Sequence, residues 1–369
     1  MVDTIRMFQP AISESAVLQA EACLQSGWVG EGKAVAAFEN GFCRRFDLRN
    51  ALALNSGTAA LHLALLGAGV GPGDEVITTA QTFVATAMAV LYVGAQPVFA
   101  DLVPGGPNLD PADVERRVTA RTKAIVVVHY GGYPCDMDEI RAVGARHGLV
   151  VVEDAAHALG ATYHGRPVGS LGDFGVFSFQ AIKQLTTGDG GMLVCADEDR
   201  HREALRRRWF GIDRERRTTS ELGEPEWDIR EVGYKYHMND IAASLGLAQL
   251  ESFGAAQARR RELNRRYRHQ LAGVGGLELL EERPDRESAC WLFTVRVERR
   301  VDFVRALRDR GVEAAAWHRR IDAHSVFGGL RPDLSNLTSF DETQVAVPLR
   351  ETLSDGEVER VIEAVRSGW

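Results

Sequence analysis

Lysine is scarce in this chain: of 43 basic residues only four, Lys33, Lys123, Lys183 and Lys235, are lysines. Arginine stays protonated and cannot serve as an amine nucleophile, so any chemistry that needs a free amine falls on one of those four positions. Cysteine is sparse too. Cys23, Cys43, Cys135, Cys195 and Cys290 are odd in number, far apart and form no CxxC pair. They imply neither a metal site nor a disulfide framework, and a reducing compartment suits them. No run approaches the roughly 20 apolar residues that would span a membrane. The opening MVDTIRMFQPAIS has neither a basic stretch followed by an apolar one nor an Arg-rich amphipathic pattern, so a cytoplasmic protein is expected. The net charge of -8 and the scatter of arginines among acids give no nucleic-acid partner. The densest group, Arg202 to Arg217, reads as a solvated helix face. There is no internal repeat, and no GxGxxG follows the first strand, which excludes a plain dinucleotide-binding protein.

What is present is an ordinary globular composition, 45% apolar and 25% charged over 369 residues, enough for a large core and two unequal domains. A turn from Gly27 to Gly32 feeds a helix near Ala34. From ALALNSGTAALHLAL onward, short apolar strands alternate with helices, the signature of parallel βαβ units in an α/β protein. The turn Ser56-Gly57-Thr58 offers helix N-terminal amides and hydroxyls to an anion, or serves simply as an N-cap. Phe83 follows the next strand, placed either to stack on a planar ligand or to fill the core. KAIVVVHYGGYPCDMDEI and HGLVVVEDAAHALG are two further units. They set His129, Tyr130, Asp154 and His157 beyond strand carboxyl ends, where ligands bind in such sheets. Asp154 reads equally as a helix cap, and His157 as a structural histidine.

GVFSFQAIKQLTTGDGGMLVC gives a strand, a polar turn carrying Lys183 and a return into a second strand. Burying a lysine in so compact a turn is costly without a partner. A carboxylate at one strand end and a lysine just past another suggest a site for an aromatic aldehyde of the pyridoxal type, the lysine forming an imine and the carboxylate facing the ring nitrogen. Lys33 and Lys123 read as surface residues, which leaves Lys183 and Lys235. A polar loop longer than ordinary connections leads past Lys235 to a helix near Met238. From Phe253 the pattern changes to a strongly basic helix, a strand through ESACWLFTVRV, the helix DFVRALRDRG and a terminal helix capped by Ser354. The expected domains are therefore 1–252 and 253–369, the second a smaller α+β unit.

Taken together, SGWVGEG, NSGTAALHLAL, TFVAT, EDAAHALGA, FSFQAIKQLTTGDGG and GYKYHMNDIAASLGLAQL resemble, in order and spacing, the DegT/DnrJ/EryC1/StrS family. Its members are nucleotide-sugar aminotransferases that depend on pyridoxal 5'-phosphate (PLP). The resemblance implies the type I aminotransferase fold, with a mainly parallel seven-stranded sheet between helices and a smaller C-terminal domain. It implies a homodimer with shared active sites, and amino transfer from glutamate or glutamine to a keto sugar, most simply a nucleotide-linked 3-keto- or 4-keto-6-deoxy sugar. Lys183 matches the imine-forming lysine, Asp154 the partner of the pyridine nitrogen, and His157 the residue near the cofactor hydroxyl. Phe83 matches the stacking aromatic. Gly57, Thr58 and Ser178 match the phosphate cradle, Ser56 and Asn239 join them as cofactor-binding candidates, and Lys235 replaces the commoner Asn of a loop that crosses the dimer interface to the phosphate. Trp28, Tyr130, His318, Arg319 and His324 are the substrate-binding candidates. An aminocyclitol aminotransferase would share all these motifs. The related sugar dehydratases resemble this chain with His in place of the lysine, and an intact Lys183 with Asp154 argues against both a dehydratase and a non-enzymatic regulator.

Overall fold

The computed structural model describes residues 4–369; Met1 to Asp3, the start of the N-terminal arm, lie outside the described residues. Seven strands, β1 (Ala51–Leu54), β2 (Glu75–Thr79), β3 (Gln96–Ala100), β4 (Thr122–Val128), β5 (Val150–Asp154), β6 (Phe174–Ser178) and β7 (Gly191–Cys195), form one sheet in the order β1-β7-β6-β5-β4-β2-β3. Only β7 runs against its neighbours. Strands such as TKAIVVV are β-branched and buried along nearly their whole length, as a sheet covered on both faces requires. Successive side chains point to opposite faces. Ile77, Ile125, Val127, Val151 and Met192 therefore join one core, while Val76, Ala124, Val126, Val152 and Leu193 join the other.

The covering helices of this part are α1 (Glu14–Gln25), α2 (Lys33–Phe46), α3 (Gly57–Gly67), α4 (Ala85–Tyr92), α5 (Pro111–Arg117), α6 (Met137–His147), α7 (Glu198–Arg208) and α8 (Asp240–Leu271). The two helices expected on either side of residue 252 are one: α8 is continuous over 32 residues and begins at Asn239, whose side chain caps Ala242 N–H. Its glycines look like breaks in the sequence, but they admit neighbours. A Cβ on Gly246 would lie 2.6 Å from the Phe38 ring, and one on Gly254 2.4 Å from the Arg45 guanidinium. The boundary expected at 252/253 thus falls inside a helix.

Beyond α8, β8 (Leu277–Leu279), β9 (Phe293–Val297) and β10 (Gln344–Val347) make an antiparallel sheet, with α9 (Arg300–Asp309), α10 (Ser335–Thr343) and α11 (Asp355–Arg366) around it. Ser354 caps α11 in a reciprocal capping box with Glu357, as its sequence signalled. The Arg202 to Arg217 group is not simply a solvated face. Arg208 is buried and bonds to Glu31 (2.5 Å), Glu39 (2.8 Å) and the Ala53 carbonyl, tying the Gly27–Gly32 turn to β1. No described helix is long and apolar enough to cross a membrane.

Candidate active site

The carboxyl ends of β2, β5 and β6 and the N-terminus of α3 open into a cavity of about 320 Å³, closed on its far side by Trp317 and His318 of the C-terminal part. Ser56, Gly57, Thr58, Phe83, Asp154, His157, Ser178, Lys183 and His318 all line it. Ser56 folds into the N-cap of α3 and accepts Ala59 N–H at 3.1 Å, which leaves the amides of Gly57 and Thr58 at a helix mouth that no internal acceptor can satisfy. Glycine at 57 permits a close approach, since a Cβ there would sit 3.1 Å from that of Ser178, tighter than ordinary contact. Gly191 opens β7 for the same reason, its Cβ position being 2.4 Å from the Ser56 carbonyl.

Asp154 ends β5 and is 5% exposed. Thr86 Oγ1 donates to its Oδ2 at 2.7 Å and Ala156 N–H to its Oδ1 at 3.2 Å. Burial raises its pKa, and the Thr86 and Ala156 bonds, Lys183 and His129 pull it part of the way back. The neighbouring Glu153 has a separate task. Fully buried, it gathers the N–H groups of Gly169, Leu171 and Gly172 and the Nε2 of His129, and so shapes the turn into β6.

Lys183 sits in the turn after β6, its N–H bonded to the Gln180 carbonyl. Its Nζ stands 4.0 Å from the centroid of Trp291, and no described residue hydrogen-bonds to it or pairs with it. Burial pushes the amine down to about 7, against the pull of Asp154. The same burial, with Lys183 nearby, holds His157 well below its ordinary range and His318 at about 3, so both imidazoles are neutral. His157 stacks on Trp291 at 3.9 Å with planes 14° apart, and His318 lies 5.5 Å beyond it. His157 Nδ1, His318 Nε2 and Trp317 Nε1 are buried without a partner among the described residues. Phe83 is 55% exposed and tilted against His318 at 5.4 Å, at the cavity wall rather than in the core.

Six expected positions lie outside the cavity lining. Tyr130 is fully buried, its hydroxyl 3.3 Å from Gln344, and packs edge-on to His157 from behind. Arg319 forks onto Asp341 at 2.9 Å, and His324 is exposed in a turn. Trp28 is 65% exposed, bonded to the Glu31 carbonyl. Lys235 pairs by backbone with Trp209, and Asn239 caps α8. Conversely, Thr82, Thr86, Gln180, Asp189 and Trp317 line the cavity without having been singled out. Thr82 and Thr86 carried a signal: two hydroxyls four residues apart around Phe83, bonded to each other at 2.8 Å. Trp291 carried none, because it belongs to the far end of the chain.

A family model described as the DegT/DnrJ/EryC1/StrS aminotransferase family matches residues 10–366. The chain belongs to that family. It is a PLP-dependent aminotransferase of the type I fold. Among curated proteins it is 38% identical to the spore coat polysaccharide biosynthesis protein SpsC of Bacillus subtilis, over 97% of this chain and 95% of that one. Among solved structures it is similar to the sugar aminotransferase CalS13 of Micromonospora echinospora, with 36% identity, coverage of 99% and 100%, and a TM-score of 0.94. It is also similar to the PLP form of the putative sugar aminotransferase Spr1654 of Streptococcus pneumoniae, with 30% identity, coverage of 99% and 98%, and a TM-score of 0.92. The cavity fits the cofactor. It has a helix N-terminus with hydroxyls for a phosphate, a buried carboxylate for a protonated ring nitrogen, an unpartnered His157 Nδ1, and an amine whose neutral form is accessible at pH 7.

Proposed function

We propose that this family member transfers an amino group from glutamate or glutamine to a keto sugar, in the first instance a nucleotide-linked 3-keto- or 4-keto-6-deoxy sugar, and so makes an amino sugar. The observation that carries the chemistry is the convergence in one cavity of a buried Asp154 and a Lys183 whose amine has no acid bonded to it among the described residues. The names of SpsC, CalS13 and Spr1654 support the sugar.

When bound, PLP supplies an aldehyde for the amine and a ring that takes up the electrons released at the substrate carbon. Lys183 Nζ would hold the cofactor, and its amine is placed to take up a proton from the substrate and give it back. A pKa of about 7 suits both directions, since roughly half the amine is neutral at that pH. Asp154, aimed by Thr86 and Ala156, keeps a proton on the ring nitrogen. Ser56, Gly57, Thr58 and Ser178 bind the phosphate, Phe83 and His157 hold the ring, and Trp317 and His318 face the substrate. Lys235 and Asn239 lie outside the cavity of their own chain, which supports a homodimer in which those of a second copy complete the phosphate end.

The test is borohydride reduction of the purified protein followed by peptide mapping. Cofactor on Lys183 is expected, and cofactor on Lys235 would overturn the assignment. A panel of nucleotide-linked 3-keto and 4-keto sugars and keto-inositols, with glutamate as donor and product mass as readout, then fixes the acceptor. Turnover of the keto-inositols alone would move the substrate to the cyclitols. An active monomer in sedimentation would refute the shared site.

A further inference from the structure

Trp291 gathers more contacts with the reactive groups than any assigned role accounts for. It is 1% exposed, at the entrance to β9, a part of the chain remote in sequence from Asp154 and Lys183. Its indole meets the Lys183 amine at 4.0 Å and the His157 imidazole at 3.9 Å. Its Nε1–H donates to the carbonyl of Ile182, the residue before Lys183, at 3.0 Å. The backbone beneath is clamped: Ala289 N–H bonds to the Gly132 carbonyl and Leu292 N–H to that of Gly131, so the ring stands on the turn that follows β4. Phe8 of the N-terminal arm stacks on it at 5.6 Å.

We propose that Trp291 is the positioning residue of this site: one rigid indole fixes the Lys183 amine and the His157 ring relative to each other. The proposal rests on Lys183 being the reacting amine. Two features of the ring divide the work. The Nε1–H bond holds the turn that carries Lys183, and the ring attracts the charged form of the amine, opposing the burial that disfavours it. The other titratable groups facing Lys183 are Asp154 from β5, His157 from the turn after it, Asp189 from the return into β7, and His318 from the C-terminal part. Of these, Asp154 pulls the amine toward the ammonium, so the indole and that carboxylate together oppose desolvation.

The experiment compares wild type, W291L and W291F as apoproteins. Each is mixed with PLP across pH 5–10 and quenched with borohydride, and the label is mapped by mass spectrometry; the labelling rate rises with pH to a plateau as the amine loses its proton. In W291L the midpoint is expected to move down by about half a unit to one and a half units, the size of a lost cation–π contact. Its plateau should fall on the order of two- to tenfold, as loss of one positioning hydrogen bond predicts. W291F keeps a ring but no donor, so its midpoint should stay within about 0.3 unit of wild type while its plateau still falls. Wild-type plateaus in both variants, or an upward midpoint in W291L, would overturn the proposal. If W291L does not fold, W291F decides alone, and a wild-type plateau there overturns it. Wild-type label on Lys235 instead would sink the assignment of Lys183 itself, a different result from unchanged labelling of Lys183.

Discussion

Replacing Thr86 by valine removes one hydroxyl and keeps the shape. In the wild type, Thr86 Oγ1 donates to Asp154 Oδ2 at 2.7 Å inside a cavity where, among the described residues, the carboxylate has one other donor, Ala156 N–H at 3.2 Å. A hydrogen bond to a charged group contributes about 1.5–3 kcal/mol, which corresponds to roughly one to two pH units. Burial already raises the Asp154 pKa and the Thr86 bond lowers it, so T86V moves it up by that amount and the ionised form is lost at a higher pH. The assay is cofactor affinity of the apoprotein against pH. Two breaks are expected, an upper one near 7 from Lys183 and a lower one from Asp154. T86V should raise the lower break by about one to two units and leave the upper nearly in place. Thr82 also loses a partner at 2.8 Å, and a thermal melt measures that stability cost separately. A folded T86V protein whose lower break has not moved would refute the claim that Thr86 holds Asp154 ionised.

Asp154→Asn should keep the fold and lose turnover on the order of 10²–10³-fold, the scale of removing a preorganised charge; near-normal kcat with an unchanged circular dichroism melt counts against it. Glu153→Gln should cost about 2–4 kcal/mol in urea unfolding, because the new amide must face a donor, either Gly169 N–H and His129 Nε2–H or the N–H groups of Leu171 and Gly172. Wild-type stability in that variant would show that the buried carboxylate does not shape the turn into β6. Gly191→Ala places a Cβ 2.4 Å from the Ser56 carbonyl, so β7 and the cap of α3 must part. A loss of about 1–3 kcal/mol of stability is expected, together with at least roughly tenfold weaker binding of PLP to the apoprotein, measured by fluorescence titration. Unchanged affinity there would mean that the helix mouth does not bind the phosphate.

Much of this protein was legible in its sequence because the relevant physics is local. Runs such as AIVVV and LVVV, short and β-branched between turn signals, read as buried strands, and their alternation with helices made a mainly parallel sheet. The scarcity of lysine narrowed the reactive amine to a few positions before any geometry was known. Ser56 and Ser354 announced their helices through capping chemistry that spans three residues. The resemblance supplied Asp154, Lys183 and the phosphate end.

Tertiary structure alone decided the rest, because side chains remote in sequence meet only where packing brings them. Thr86 reaches Asp154 across 68 positions, and Trp291 reaches Lys183 and His157 across more than 100. No period or cap records such meetings. Packing also separated neighbours that look alike in sequence: Glu153 holds a turn while Asp154 faces the cavity, and His318 lines that cavity while Arg319 turns to Asp341. Alternation along a strand sends adjacent residues to opposite faces, but which face meets the site depends on what the sheet is packed against. The sequence by itself determined the scaffold and narrowed the candidate amines to a few lysines, and only the fold decided which groups stand close enough to Lys183 to tune it.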